Sequence, residues 1–240
     1  MKIVADTHTH TVACNHAYST LLENVAAAKR NGLSFICMTD HGIAMPDSPH
    51  IWYFENLRII PDILDGIIVL KGVEANILNY DGQLDIADEL LEQMDWVIAS
   101  YHKPVCKPST EAQHTNGWLS VAKNTNVDVI GHCGDPRFAF DIDKVVKAFA
   151  EYEKIVEINT SSFIIRHGSK ERCRDIALAC KKNGVRLVVN SDCHFAPNIG
   201  KVEPAVEMLE EIDFPEKLIV NADYDRFLSL ARQKSGRQLI

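Results

Sequence analysis

Lys2-Ile3-Val4-Ala5-Asp6-Thr7-His8-Thr9-His10 is the stretch that decides the reading of this chain. An apolar, β-prone run at Lys2–Ala5 leads at once into two histidines separated by one residue. Side chains on an extended segment alternate faces, so His8 and His10 point the same way while Thr7 and Thr9 turn elsewhere. A lone His-x-His is a weak signal, so its weight depends on whether the pattern recurs.

It recurs along the whole chain. Further candidate strands are Phe35–Met38, Ile67–Leu70, Trp96–Ala99, Val127–Ile130, Lys154–Ile158 and Arg186–Val189. Five of them run into polar clusters: Thr39-Asp40-His41-Gly42, Gly72-Val73-Glu74, Ser100-Tyr101-His102, Gly131-His132-Cys133-Gly134-Asp135 and Ser191-Asp192-Cys193-His194. Asp192 and His194 repeat the i, i+2 device of the first cluster, and Cys193 between them should point away. Apolar runs bounded by turn signals suit strands buried on both faces.

Helical patterns fill the intervals. Ser19 or Thr20 can cap a helix through Ala26–Lys29 that Gly32 stops; Asp141 or Asp143 can start one through Val145–Tyr152. Ser169 can cap a third, over Ile176–Lys182, with Gly184 at its end. Alternating strand and helix implies a parallel sheet. Seven such units imply an α/β fold, a distorted TIM-like (β/α)7 barrel in a single domain over residues 1–240. Lys217–Val220 is read as an eighth strand or a terminal edge segment. In such a barrel the strand ends converge on one face, so ligands far apart in sequence meet.

His8, His10, His16, His41, Glu74, His102, His132, Asp192 and His194 are the resulting candidate metal ligands. His16 is the least regular of them, six residues beyond His10, and a surface or capping histidine is its plain alternative. Asp40 is read as orienting His41 or capping a turn. Catalytic zinc-type sites use about three protein ligands per ion, so three metals divide this set most simply, with two fuller shells the alternative. Three dications against the carboxylates Glu74 and Asp192 leave a strongly positive site, suited to a phosphoryl group. Imidazole-rich sites also accept Mn or Fe.

The clusters Asp6-x-His8-x-His10, Thr39-Asp40-His41-Gly42, Gly72-Val73-Glu74, Gly131-His132 and Ser191-Asp192-x-His194, in this order, resemble the PHP (polymerase and histidinol phosphatase) family. The match is closest to its stand-alone YcdX-type bacterial phosphatases. The resemblance implies a trinuclear site, usually zinc. One metal would take His8, His10, Glu74 and Asp192; a second His16, His41 and His194; a third His102 and His132, with Glu74 bridging. It also implies catalytic roles for Glu74 and Asp192 and, through the segment Asn159–Ser169, a substrate-phosphate contact from Arg166. A solvated loop arginine is the alternative for Arg166, and Lys103 and Arg137 are weaker candidates. Asp135 is read as orienting His132 or capping a turn.

The expected activity is hydrolysis of a small phosphorylated substrate, a monoester. Phosphodiesterase, amidohydrolase-type and non-catalytic metal-binding readings stand beside it. A net charge of -8 argues against general nucleic-acid binding. No apolar run approaches the ~20 residues of a membrane helix. Seven cysteines without a Cys-x-x-Cys pair argue against a disulfide framework and for a reducing cytoplasm. Cys14, Cys37, Cys133 and Cys193 are read as packing behind the site. His50, His114 and His167 are read as loop residues, and a homo-oligomer is compatible with the chain.

Overall fold

Buried β-branched and aromatic runs, each closed by a turn, build the wall of the molecule in a computed structural model describing residues 1–239. The strands are β1 (Ala5–Thr9), β2 (Phe35–Met38), β3 (Ile63–Leu64), β4 (Ile67–Asn76), β5 (Trp96–Ser100), β6 (Val129–Ile130), β7 (Ile155–Asn159) and β8 (Leu187–Asn190). The helices are α1 (Leu21–Arg30), α2 (Ile51–Glu55), α3 (Asp88–Leu91), α4 (Glu111–Lys123), α5 (Ile142–Glu151), α6 (Thr160–Ile165), α7 (Ser169–Asn183), α8 (Glu203–Glu211) and α9 (Tyr224–Ser235). The order β1-β2-β4-β5-β6-β7-β8 is parallel throughout, and β3 adds only a short antiparallel pairing to β4. The result is a single-domain α/β fold, a nearly closed seven-stranded parallel barrel of distorted TIM type.

Period-two alternation sorts its residues. In β4, Val69, Val73 and Ala75 join the outer core under the helices, while Ile68 and Leu70 join the inner core. Phe35, Trp96, Ile98, Val129 and Val188 fill the same interior, and Phe227 and Ala231 of α9 plug it from below. The apolar interior thus ends partway up, and the inward positions above it carry the polar groups.

β1 reaches its inward histidines by a different route. Asp6 pairs with Ile36 but Thr9 pairs with Met38, so β1 carries one extra residue there. Such a bulge switches which face later side chains occupy. Ala5 therefore faces the inner core, while His8 and His10 enter the barrel mouth.

The junction between β8 and β1 is stitched largely by side chains. The Asn221 amide donates to Ala5 O (2.8 Å) and Val189 O (2.7 Å) and accepts from Val189 N (3.1 Å). Asn190 Oδ1 accepts from Thr7 N at 2.9 Å, Ser191 N and Oγ donate to the Asp6 carboxylate, and Thr9–Cys193 is the one β-bridge between the two segments among the described residues.

Several expectations shift. The first strand lies later than Lys2–Ala5, because the polar run from Asp6 to Thr9 is itself buried and bonded. Lys217–Val220 is no strand: Glu216–Leu218 and Val220–Ala222 are 3-10 turns, with Ile219 making one bridge to Leu187. Thr20, not Ser19, caps α1, closing a capping box with Glu23, and Asp141 caps α5. Ser169 is not a cap: Gly168 at φ +81 precedes the helix, and the Ser169 hydroxyl is buried 3.9 Å from Cys173 Sγ. His114 is no loop residue; it is buried in α4, its Nδ1 2.8 Å from Ala139 O. His50 caps α2. Among the described residues, no helix is long and apolar enough to cross a membrane.

Candidate metal centre

Glu74 stands at the hub of the barrel mouth, on the inward face of β4 and fully buried. Its Oε2 lies 3.2 Å from His8 Nε2, 3.6 Å from His10 Nε2 and 2.8 Å from His41 Nδ1. Its Oε1 faces the other way, 3.3 Å from His102 Nε2 and 3.1 Å from His132 Nε2. Asp192 closes the far side, with Oδ1 3.2 Å from His10 Nε2 and 3.5 Å from His194 Nδ1, and Oδ2 3.6 Å from His132 Nε2. Eight of the nine expected ligands thus converge at the carboxyl ends of the strands.

His16 comes only to the rim. Its ring centroid is 4.5 Å from that of His194 and 5.3 Å from that of His41. Its side chain is 49% exposed, with Nδ1 bonded to Asp47. Groups of mutually close donor atoms include His8–His10–Asp192, His8–Glu74–His132, His41–Glu74–His102 and His10–His41–His194. Donors of neighbouring groups are shared, so the cluster is continuous.

Backbone strain helps to aim two of these side chains. His132 (φ +51) and Asp192 (φ +55) are both left-handed, a conformation that residues with a Cβ avoid unless the surroundings enforce it. Gly42 is required by close approach, since a Cβ there would fall 2.4 Å from Asp85 Oδ1. Asp85 binds Asn76 through N (2.8 Å) and Nδ2 (2.6 Å), and Asn76 Oδ1 meets His102 Nδ1 at 2.8 Å. That bond assigns the proton to Nδ1 and turns the Nε2 lone pair toward the cluster.

The same role for His8 falls to Glu157, a residue passed over in the sequence because it lies mid-strand in β7 rather than at a strand end. Its Oε1 is 2.6 Å from His8 Nδ1, and its Oε2 accepts from His132 N at 3.0 Å. A carboxylate inside a wholly buried strand was the available signal. Asp40 does not orient His41. It accepts from Thr11 N (2.7 Å) and Oγ1 (2.9 Å) and from the Tyr53 hydroxyl, fixing the loop after β1.

Electrostatics follow from this crowding. Burial opposes ionisation of Glu74, but the charges of His8, His102 and His41 hold its carboxyl well below the usual range. Asp192 is depressed in the same way, against burial, chiefly by His8, His10 and His132. Burial lowers His8, yet Glu74, Glu157 and Asp192 outweigh it and raise the imidazole well above 6.5. His102 is pushed down to about 4 by burial. His10 and His194 are lowered too, burial being the first cause for each.

The donor set fits divalent transition metals. Glu74, Asp192, His8, His10, His41 and His194 each bury at least one polar atom that has no hydrogen-bond partner. An unsatisfied buried group costs about 1–3 kcal/mol, and these converge on shared points, so cations are the natural partner. Cys14, Cys37, Cys133 and Cys193 are buried. Cys14 lies near His10 and Asp40, but burial raises its thiol far above the normal range and its Sγ accepts from His41 N at 3.3 Å.

A cavity of about 720 Å³ opens above the cluster, and Arg166 lines it. Arg166 follows α6, donates to Ser162 Oγ at 2.6 Å and lies 3.4 Å from Asp135 Oδ2. Asp135 caps the turn at Pro136–Phe138 and grips Arg137, so it orients arginines rather than His132. Arg137 is committed to Asp135, and Lys103 is exposed; neither lines the cavity.

Comparison with known proteins agrees with this construction. The family model described as the PHP domain matches residues 6–161. A probable phosphatase of Acetivibrio thermocellus is 45% identical over 237 residues, covering 99% of this chain and 98% of that protein. A probable phosphatase of Photobacterium profundum is 42% identical over 240 residues, covering 100% and 98%. Among solved structures, histidinol phosphate phosphatase from Lactococcus lactis, complexed with zinc, L-histidinol and phosphate, superimposes with TM-score 0.64 at 18% identity, covering 88% of this chain and 94% of that one. At that identity the likeness speaks for the fold alone. With a family model matching most of the chain and full-length relatives above 40% identity, the chain belongs to the PHP-domain family.

Proposed function

We propose that this protein is a metal-dependent phosphatase that hydrolyses small phosphomonoesters at a trinuclear, zinc-type site. The observation that carries the reading is the convergence of partnerless buried carboxylate and imidazole atoms beneath a cavity lined by one arginine. The naming of its full-length relatives as probable phosphatases supports it, as does the zinc and phosphate in the Lactococcus structure. The domain is taken to span 1–240, because β8, Asp192 and His194 lie beyond residue 161 and complete the mouth.

Glu74 would bridge, with His8, His10 and Asp192 on one side and His102 and His132 on the other. His41, His194 and His16 would hold the third ion at the rim. Bound dications supply Lewis acidity toward a phosphoryl oxygen and make water a nucleophile near neutral pH. Glu157 and Asn76 keep His8 and His102 in the tautomer that presents Nε2. Arg166, already aimed by Asp135 and Ser162, offers its guanidinium to the substrate phosphate. An amidohydrolase arrangement with a bridging lysine is disfavoured, since Glu74 occupies the shared position and Lys71 of the same strand turns away to Asp62.

Elemental analysis of the purified protein, with phosphate release measured after chelation and reconstitution with Zn, Mn or Fe singly, tests the reading. We expect release from monoesters that chelation abolishes and that His132→Ala or Asp192→Ala largely removes. Metal retained without hydrolysis across monoesters and diesters would replace it with a non-catalytic metal-binding role.

A further inference from the structure

The wall of the cavity differs in kind from its floor. Above the imidazoles stand Tyr18, Met45, Ile165 and Phe195, contributed by four separate segments. Tyr18 is 73% exposed, Ile165 66% and Phe195 51%, although large apolar side chains elsewhere mostly sit in the core. Exposed apolar groups gathered around a cleft, rather than scattered, mark a recognition surface.

This wall is built rather than incidental. Tyr18 N donates to His194 O at 2.8 Å, and Ala196 N donates to Ser19 Oγ at 2.9 Å. These bonds fasten the Tyr18 loop to the Phe195 segment, directly above the rim histidines. Met45 N donates to Gly42 O at 3.2 Å, which fixes the third segment. Ile165 ends α6 and Arg166 follows it at once, so one member of the apolar wall and the guanidinium are adjacent in the chain.

Charge narrows the occupant further. Besides the histidines, the only charged residues lining the cavity among the described residues are Arg166 and Asp192, and Asp192 already faces the imidazole cluster. Among the described residues, no second cationic side chain lines it for another phosphate or carboxylate, and no uncommitted carboxylate lines it for an ammonium group. The volume, about 720 Å³, far exceeds a phosphate and suits a drug-sized ligand.

We propose that this cavity selects phosphomonoesters whose leaving group is flat, apolar and uncharged, an aryl or arylalkyl body seated against Tyr18, Met45, Ile165 and Phe195. The proposal rests on the phosphatase reading for the placement of the phosphate, while the apolar wall is a separate observation. Ser161 and Asn198 also line the cavity, but the Ser161 hydroxyl already donates to Ser191 O at 2.7 Å, so polyhydroxylated sugar phosphates and amino-alcohol phosphates leave most of their polar groups facing apolar carbon and bind less well.

The test uses the metal-loaded protein and non-hydrolysable phosphonates, so that binding is read apart from turnover. Calorimetry with 2-phenylethylphosphonate, ethylphosphonate and 2-aminoethylphosphonate should rank the first roughly 10- to 100-fold tighter than the other two, from the apolar area it buries. Ile165→Ser, at an exposed position, should shrink that ratio severalfold, and Leu22→Ser on exposed α1, outside the cavity, should not. Equal affinities, preference for the amine, or an unmoved ratio in Ile165→Ser would each overturn the inference. Turnover of 2-phenylethyl and ethyl phosphate, whose alkoxide leaving groups are alike, separates the two readings. Hydrolysis of both with equal phosphonate binding sinks the specificity and keeps the phosphatase. Selective phosphonate binding without hydrolysis of either ester keeps the cavity's preference and sinks the phosphatase.

Discussion

The inner and outer halves of the metal centre are built to different standards. Glu74, His8 and His10 are fully buried, and His102, His132 and Asp192 nearly so. Each is held by a strand or a strand end, and His8 and His102 lean on the buried partners Glu157 and Asn76. His16 instead lies in the loop between β1 and α1, half exposed, and its partner Asp47 belongs to another loop. Preorganisation on rigid elements favours metal binding by the inner ligands, whereas the third ion proposed at the rim would draw one ligand, His16, from an exposed loop. The two halves should therefore differ in affinity.

Glu74→Gln should have the largest effect, because the shared carboxylate faces both groups of inner imidazoles. Phosphate release should fall by about 10³-fold or more, with loss of bound metal on elemental analysis. A full complement of metal in this variant would break the idea of a Glu74-centred inner half. Glu157→Gln keeps the shape but weakens the hold on His8, so competition with a chelator should show about 10- to 100-fold lower metal affinity.

Asp47→Ala probes the rim alone. On the proposed three-ion reading it should lower the bound metal by one ion at chelator concentrations that the wild type withstands, with a fall in kcat/KM of about tenfold. An unchanged metal content would show that the rim is as firm as the interior.

Acid gives the smallest and most graded contrast, read on metal-free protein. His102 titrates near 4 when folded, depressed first by burial, against 6.5 for a free imidazole side chain. Between those values the unfolded chain binds a proton that the folded chain refuses, so stability falls as pH drops from 6.5 to 4. The full shift is on the order of 3 kcal/mol. His10 and His194, also depressed, act in the same direction, and Glu74 joins below its usual range. His8, raised above 6.5, is protonated in both states through this window and adds no slope. Thermal melts at pH 6, 5 and 4.5, below the range where the raised His8 and His41 add a slope of the opposite sign, should show the midpoint declining by several degrees; a flat profile would deny the burial of these rings.

Much of this was legible because alternation and strand-end position are local properties. His8 with His10, Asp192 with His194, and Glu74 follow from counting residues past an apolar run. Glu157 obeys the same alternation but was hidden by its mid-strand position. The extra residue in β1 shows only against its partner β2, and the tie between Asp135 and Arg166 depends on segments about 30 residues apart. Lys217–Val220 has strand-like composition, yet the Asn221 side chain takes over the bonds that a backbone there would make. Register and side-chain substitution for a ladder are properties of pairs, and a single segment does not display them.

That substitution gives the cations a mechanical duty beside their chemical one. His8 and His10 stand on one bank of the β8–β1 junction, Asp192 and His194 on the other, and few backbone bonds span the gap. Ions clasped from both banks would rivet the wall where it has no continuous weave. Stripping them should let the cylinder part along this line first, with the Val189 and Cys193 amides among the earliest to exchange with deuterium.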